Sequence, residues 1–318
     1  CANRGPYNPT PTRSNCFSRR IVLLPESDRW AIHQGDCIPH MLEKMEPASM
    51  DMAVFSTPFP MLYAYTSEEA DIGNSEDFKS EAKIHLGYFY RGLARVMKPG
   101  RVAMVHVMQV PRLKRSGGEG LHDFRGLNIR LAERAGMTFE YDWCVTKNPQ
   151  AQAIRTKSHN LQFAGLERDR ANARGALPDY LIKLRKPGIN EVPIRSEGDV
   201  PRNDWIQWAE AAWTDIRETD TLNVREARSE EDTRHICPLQ LNVINRLVRL
   251  YSNAGETVFS PFTGIGSEGY ESIKLGRRFY GCELKPEYYQ QACINLKRAE
   301  LIQGESTASL FDVLEKAA

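Results

Sequence analysis

The sequence predicts an α/β protein: an open, doubly wound, Rossmann-like sheet of mostly parallel strands with an irregular insertion. Three observations predict it. Short apolar strands alternate with amphipathic helices from Trp30 to Val145, and the same alternation resumes at Asn242 and runs to Glu300. Between them, from Lys147 on, that periodicity fails. One domain carrying an insertion accounts for this better than two domains, and 318 residues suffice for it. No internal repeat is visible.

Element by element, the first thirty residues hold Pro6, Pro9, Pro11, Arg13, Asn15, Arg19 and Arg20 and read as an irregular arm. Ala31 to His33 is a short strand, Gly35-Asp36 a turn, and Ile38 to Met45 a helix. Met52 to Phe55 is a buried strand that runs into a proline-containing loop. Glu76 to Met97 reads as a helix with Leu86, Phe89, Leu93 and Val96 on one face, and Lys98-Pro99-Gly100 stops it. Val102 to Val107 is a strand, Leu127 to Ala135 a helix closed by Gly136, and Thr138 to Val145 a strand. After the irregular middle come a helix from Asn242 through Leu250, strand Thr257 to Phe259, helix Glu268 to Leu275, strand Phe279 to Cys282 and helix Pro286 to Glu300.

With 41% hydrophobic and 26% charged residues the composition is that of a globular protein, which excludes disordered, collagen-like and coiled-coil classes. No apolar run approaches the roughly 20 residues that span a bilayer, so no membrane association is expected. No charged start leads into an apolar core, so no secretory leader is expected, while Cys1 in place of Met is compatible with a piece of something longer. The seven cysteines are scattered without CxxC spacing, which suits reduced thiols in a cytoplasmic setting. His33, Cys37 and His40 lack a second ligand pair, so no metal is expected.

The net charge of +1 is uninformative, but its distribution is not. Residues 147–187 hold nine Lys/Arg against three acids, whereas 189–232 hold twelve acids against five basic residues. A basic block beside an acidic one fits polyanion contact or simply a solvated surface.

Two loops carry chemistry. Strand Thr257 to Phe259 ends in Ser260-Pro261-Phe262-Thr263-Gly264-Ile265-Gly266-Ser267 and opens a helix. Small residues there let backbone approach a ligand closely, and the helix start offers free N–H groups. Glu283 follows about 20 residues later, where an acid binds ribose hydroxyls. Gly264-x-Gly266-x-x-Gly269 alone also fits a dinucleotide fingerprint. Its late position leaves room for about one further βαβ unit, which favours an adenosine cofactor without pyrophosphate, S-adenosylmethionine first among candidates.

The second loop, Ser56-Thr57-Pro58-Phe59-Pro60, follows the strand Met52 to Phe55, at a strand end where open sheets bind ligands. Proline stiffens it and Phe59 offers a flat apolar surface, as a flipped base requires. An exocyclic amino nitrogen is a poor nucleophile because its lone pair is delocalised into the ring. Hydrogen bonds from its N–H groups to Ser56 Oγ and a loop carbonyl favour a tetrahedral nitrogen that attacks a sulfonium methyl in line, with no general base required beforehand. Taken singly, this loop also reads as an ordinary proline-rich turn.

Together the two loops resemble the β class of DNA amino-methyltransferases. In that permuted class a catalytic Asp/Ser-Pro-Pro-Tyr/Phe motif precedes an Asp-Pro-Phe-x-Gly-x-Gly-Ser/Thr motif. Most of the chain shares in the resemblance. Ile32 to Cys37, Arg95 to Gly100, His235 to Leu241 and Leu275 to Glu283 are similar to segments that flank the two motifs. Thr156 to His159, Pro178 to Leu181, Arg185 to Gly188 and Asp215 to Asp220 are similar to a phage and prophage branch.

The resemblance implies an S-adenosylmethionine-dependent enzyme acting on adenine N6 or cytosine N4 in duplex DNA, within restriction-modification or a phage-infected bacterial cell. It implies Ser56, Thr57, Pro58 and Phe59 as the catalytic loop. It implies Asp36, Cys37, Pro238, Gln240, Ser260, Phe262, Thr263, Gly264, Gly266, Ser267 and Glu283 as cofactor residues. Thr57 replaces the motif's first proline, and Ser260 stands where the class has an Asp that contacts the methionine ammonium. The expected division is an arm over 1–29, a catalytic half over 30–147, a target-recognition insertion over 148–230 and a cofactor half over 231–318. Lys157, His159, Arg170 and Arg174 are the candidates for phosphate or base contacts. A homodimer, an RNA methyltransferase and a catalytically weakened DNA-binding homologue stay open at this point.

Overall fold

The computed structural model describes residues 27–60, 66, 68–75, 80–112, 120–195, 199–222 and 238–317. Most of the expected arm, and His235 to Cys237 of the segment before the cofactor half, therefore lie outside the described residues. In chain order the elements begin with β1 (Trp30–Gln34), α1 (Cys37–Pro39, continued by a π-helical turn His40–Lys44), β2 (Met50–Ser56), α2 (Glu81–Val96) and β3 (Met97–Met108). There follow β4 (Val110–Pro111), β5 (Leu121–His122), α3 (Phe124–Arg134), β6 (Thr138–Val145), α4 (Pro149–Thr156), α5 (Phe163–Arg168) and β7 (Asp179–Arg185). The chain continues through α6 (Arg202–Trp208), β8 (Ala212–Trp213), α7 (Leu241–Tyr251), β9 (Thr257–Ser260), α8 (Ser267–Lys274), β10 (Arg278–Glu283) and α9 (Pro286–Ala317).

Eight strands form one sheet in the order β1-β10-β9-β2-β3-β7-β6-β8. The first five run parallel, and β7 is antiparallel to both β3 and β6. The doubly wound sheet is thus as expected, with one reversed strand inside it.

Both faces of the sheet are covered, as parallel strands require. Alternation along β2 shows this: Ala53 and Phe55 face the layer of Leu86, Phe89, Leu93 and Val96, while Met52 and Val54 face Leu181, Val243, Leu247 and Val258. The four α2 residues expected on one helix face are each 0% exposed. Gly100 has φ +73, and a Cβ there would stand 2.4 Å from the Asn190 backbone nitrogen, so glycine alone fits this turn. Among the described residues no helix is long and apolar enough to cross a membrane.

One sequence reading needs correction. The stretch from Lys147 to Asn242 read as irregular, yet it contains β7, an interior strand of the main sheet, and the short edge strand β8. Lys183 and Arg185 give β7 a surface-like composition, but both pair with Glu140 on β6. Their neighbours Leu181, Ile182 and Leu184 are fully buried. What stands off the sheet is therefore split around β7.

Leu184→Ala tests this placement. A strand in the core should lose about 2–5 kcal/mol on that change, read from urea unfolding; a surface insertion would lose less than about 0.5 kcal/mol.

Candidate functional site

Parallel strands end on one edge, and so do the loops that follow β1, β10, β9 and β2. They enclose a cavity of about 1090 Å³, counted with its open mouth. The glycine loop forms one wall. Gly264 (φ +54) and Gly266 (φ +87) both adopt left-handed backbone, which explains glycine at each. Gly266 caps α8, and a Cβ there would lie 2.7 Å from Leu296 Cδ1 on α9.

The Glu283 side chain holds this wall together. Its Oε2 accepts from the Gly264 N–H at 2.7 Å and its Oε1 from the Lys285 N–H at 2.9 Å. The Glu283 carbonyl accepts from Gly35 N–H at 2.9 Å, tying in the loop after β1. Burial pushes the Glu283 carboxyl up to about 7 against the pull of those two N–H donors. Asp36 caps the turn after β1, its Oδ1 accepting from Ile38 N–H at 2.8 Å, and burial raises it as well. The Cys37 thiol is pushed well up, first by burial.

Of the expected cofactor residues, Asp36, Cys37, Pro238, Phe262, Thr263, Gly264, Ser267 and Glu283 line the cavity. Three do not. Gln240 is buried at the start of α7, where its carbonyl accepts from Ile244 N–H. Gly266 packs against α9, where it sets the helix position. Ser260 is fully buried behind the loop, and its Oγ has no partner.

Ser56, Thr57, Pro58 and Phe59 line the same cavity from the β2 side. Thr57, where the resemblance expects a proline, is fully buried, and its N–H donates to the His106 carbonyl at 3.2 Å. Phe59 is half-buried, its ring 5.7 Å from that of Phe124. Ser56 Oγ lies 2.9 Å from His106 Nδ1.

Sequence reasoning missed two groups here. His106 sits within a strand, Val102 to Val107, to which the sequence assigned no chemistry; a lone imidazole near the carboxyl end of such a strand is the signal that could have found it. Glu268, in the first turn of α8, lines the cavity though only 4% exposed, and burial pushes its carboxyl up to about 8. Ser267 beside it is buried with its Oγ unpartnered.

The four expected DNA residues fall in one unit between β6 and β7. Lys157 terminates α4 in left-handed backbone (φ +50), and Lys157, His159 and Arg170 are exposed. Arg174 is half-buried, its Nη2 donating to Ser158 Oγ at 3.2 Å. Because β6 ends and β7 begins on the cavity edge, this unit stands there too.

The family model described as DNA methylase matches residues 50–293. A type II methyltransferase of Methanocaldococcus jannaschii, M.MjaI, is 23% identical over 81% of this chain and 89% of its own. The type II methyltransferase M1.MboII of Moraxella bovis is 37% identical over 21% of this chain, a stretch that spans only 26% of that protein. Among solved structures, TTHA0409 of Thermus thermophilus, classed as a DNA modification methylase and complexed with S-adenosyl-L-methionine, superposes with a TM-score of 0.64. It is 21% identical, over 84% of this chain and 93% of that one. The cytosine-N4-specific PvuII DNA methyltransferase superposes at 0.61 with 14% identity, over 87% and 92%.

Gly266→Ala puts a methyl group into Leu296 at a positive φ. A loss of about 1–3 kcal/mol in urea unfolding is expected, and an unchanged midpoint would show that the loop does not set the α8–α9 packing.

Proposed function

Because the chain belongs to the DNA methylase family, we propose that it transfers the methyl group of S-adenosylmethionine to the exocyclic amino group of a flipped base in duplex DNA. The base is adenine through N6 or cytosine through N4. One observation carries the reading: the Ser56 loop and the glycine loop, which follow the neighbouring strands β2 and β9, line a single cavity. The methyl donor and its acceptor then meet without either leaving the enclosure.

The residues present fit the donor. The Glu268 carboxylate and the Ser267 hydroxyl are buried polar groups in the cavity wall, suited to an ammonium and a carboxylate. Glu283 uses one lone pair of each oxygen on Gly264 and Lys285, which leaves the others for ribose hydroxyls. When bound, S-adenosylmethionine supplies an electrophilic methyl on a sulfonium. The chain's part is to orient and to exclude water. Ser56 Oγ and a loop carbonyl accept from the target amino group, and Phe59 stacks on the base. Lys157, His159, Arg170 and Arg174, at the rim, contact the duplex. The unit around them, 149–178, is the target-recognition part of the region expected over 148–230.

Glu268→Gln separates binding from stability. In the free protein Glu268 is raised to about 8 and Glu283 to about 7, from an ordinary 4.5. A carboxyl raised on folding contributes stability that is present below the ordinary value and is lost as pH rises through the folded one. The free enzyme should therefore lose stability between pH 5 and 8.5. Glu268→Gln should soften that loss and raise the pH 8.5 melting temperature by a few degrees, about 1 kcal/mol. The same change should weaken S-adenosylmethionine about tenfold or more by calorimetry. Unchanged affinity would remove Glu268 from the site.

The function itself is tested with tritiated S-adenosylmethionine and three polymers: duplex DNA, single-stranded DNA and RNA. Label is expected in duplex DNA. Label in RNA alone, or in none of the three, would overturn the reading.

A further inference from the structure

Ser56, His106, Asp179 and Lys147 form a continuous chain of contacts at the cavity edge, and sheet register places them there. Ser56 is in register with His106 across β2 and β3. His106 faces Leu181 of β7, and Asp179 lies two residues before Leu181, on the same face. Asp179 is in turn opposite Val145 of β6, two residues before Lys147.

The contacts follow from that placement. Ser56 Oγ is 2.9 Å from His106 Nδ1, His106 Nε2 is 2.9 Å from Asp179 Oδ2, and Lys147 Nζ is 2.6 Å from the same oxygen. The Nε2 contact is bent away from the ring N–H direction. The side chains of His106, Asp179 and Lys147 are only 12%, 7% and 6% exposed. Burial works to raise Asp179, but His106 and Lys147 outweigh it and hold the carboxyl below its usual range.

The close approach of His106 Nε2 to the Asp179 carboxylate favours one placement of the hydrogens. A buried ring nitrogen 2.9 Å from a carboxylate oxygen carries its hydrogen, since two acceptors would repel. Neutral His106 is then the Nε2–H tautomer, and its Nδ1 offers a lone pair to Ser56. In that tautomer the Ser56 hydroxyl donates to Nδ1. Towards the cavity Ser56 presents only lone pairs, which is what an amino group needs to meet.

We propose that His106, Asp179 and Lys147 are positioning residues for methyl transfer: they hold Ser56 as an acceptor for the target amino group and take up the proton that group releases. The proposal rests on the methyl-transfer reading above. As the nitrogen–methyl bond forms and the sulfur–methyl bond breaks, the sulfonium becomes a neutral thioether and the nitrogen becomes cationic. That nitrogen gives a proton to Ser56 Oγ while Ser56 gives its own to His106 Nδ1. The imidazolium so formed is paired with Asp179 and later returns the proton to water.

The test uses the full chain with His106→Gln, Ser56→Ala and the double variant, each checked for fold by circular dichroism. Glutamine can keep a donor near Asp179 but has no basic nitrogen to take a proton from Ser56. His106→Gln is expected to lower kcat about 100-fold, with KM for DNA and Kd for S-adenosylmethionine within about threefold of wild type. The double variant should be no slower than the slower single, since the two residues act as one unit. A kcat within about threefold of wild type, or losses that multiply, would overturn the proposal while leaving methyl transfer intact. Histidine-selective 15N NMR of the free protein tests the arrangement without any substrate. An Nε2–H tautomer at His106 is expected, and an Nδ1–H tautomer overturns the proposal whatever the activity.

Discussion

Seven of the eight strands in the sheet run the same way, and the loops after their carboxyl ends lie along one edge, where backbone groups are not used up by pairing. Within this sheet β7 runs against its neighbours and adds its starting end to that edge. Every group with chemical potential in the site depends on this arrangement. Glu283 comes from the end of β10, the glycine loop from β9, Ser56 from β2, His106 from near the end of β3 and Asp179 from the start of β7. Cross-strand hydrogen bonding sets their relative heights, so a one-residue slip of β2 against β3 would turn Ser56 away from His106.

The site is electrostatically divided. Inside, Glu268, Glu283 and Asp36 are carboxyls raised by burial, so the cavity carries acidic groups that gain by meeting a cation. The unit at the rim carries exposed Lys157 and Arg170 instead. A small cationic donor bound below and a polyanion bound above suit these two regions. The buried acids make the empty cavity less stable as pH rises, a cost that a bound cation offsets.

How far the sequence was legible follows from how local each signal is. The glycine loop, its strand and the acid after it lie within about two dozen residues, and periodicity with turn chemistry located them. The apolar stripe of α2 was equally legible, since helix faces repeat over neighbouring residues. The strand β7 was not, because its charged residues make sense only beside Glu140, a partner forty residues away or more. His106 was missed for a similar reason. Its neighbours in the chain are apolar, and its partners Ser56 and Asp179 become visible only once register is known. Ser260 differs in the opposite way: the motif marks it as a cofactor residue, whereas its side chain is fully buried and does not line the cavity.

Which atom of the base receives the methyl group bears most directly on the account, because an acceptor hydroxyl at Ser56 activates an amino group and has no means of activating a ring carbon. Unmodified duplex DNA is incubated with the enzyme and S-adenosylmethionine, digested to nucleosides and analysed by mass spectrometry. The account predicts N6-methyladenine or N4-methylcytosine, lost in Ser56→Ala. A product of 5-methylcytosine, or an amino-methylated base formed equally well by Ser56→Ala, would contradict it.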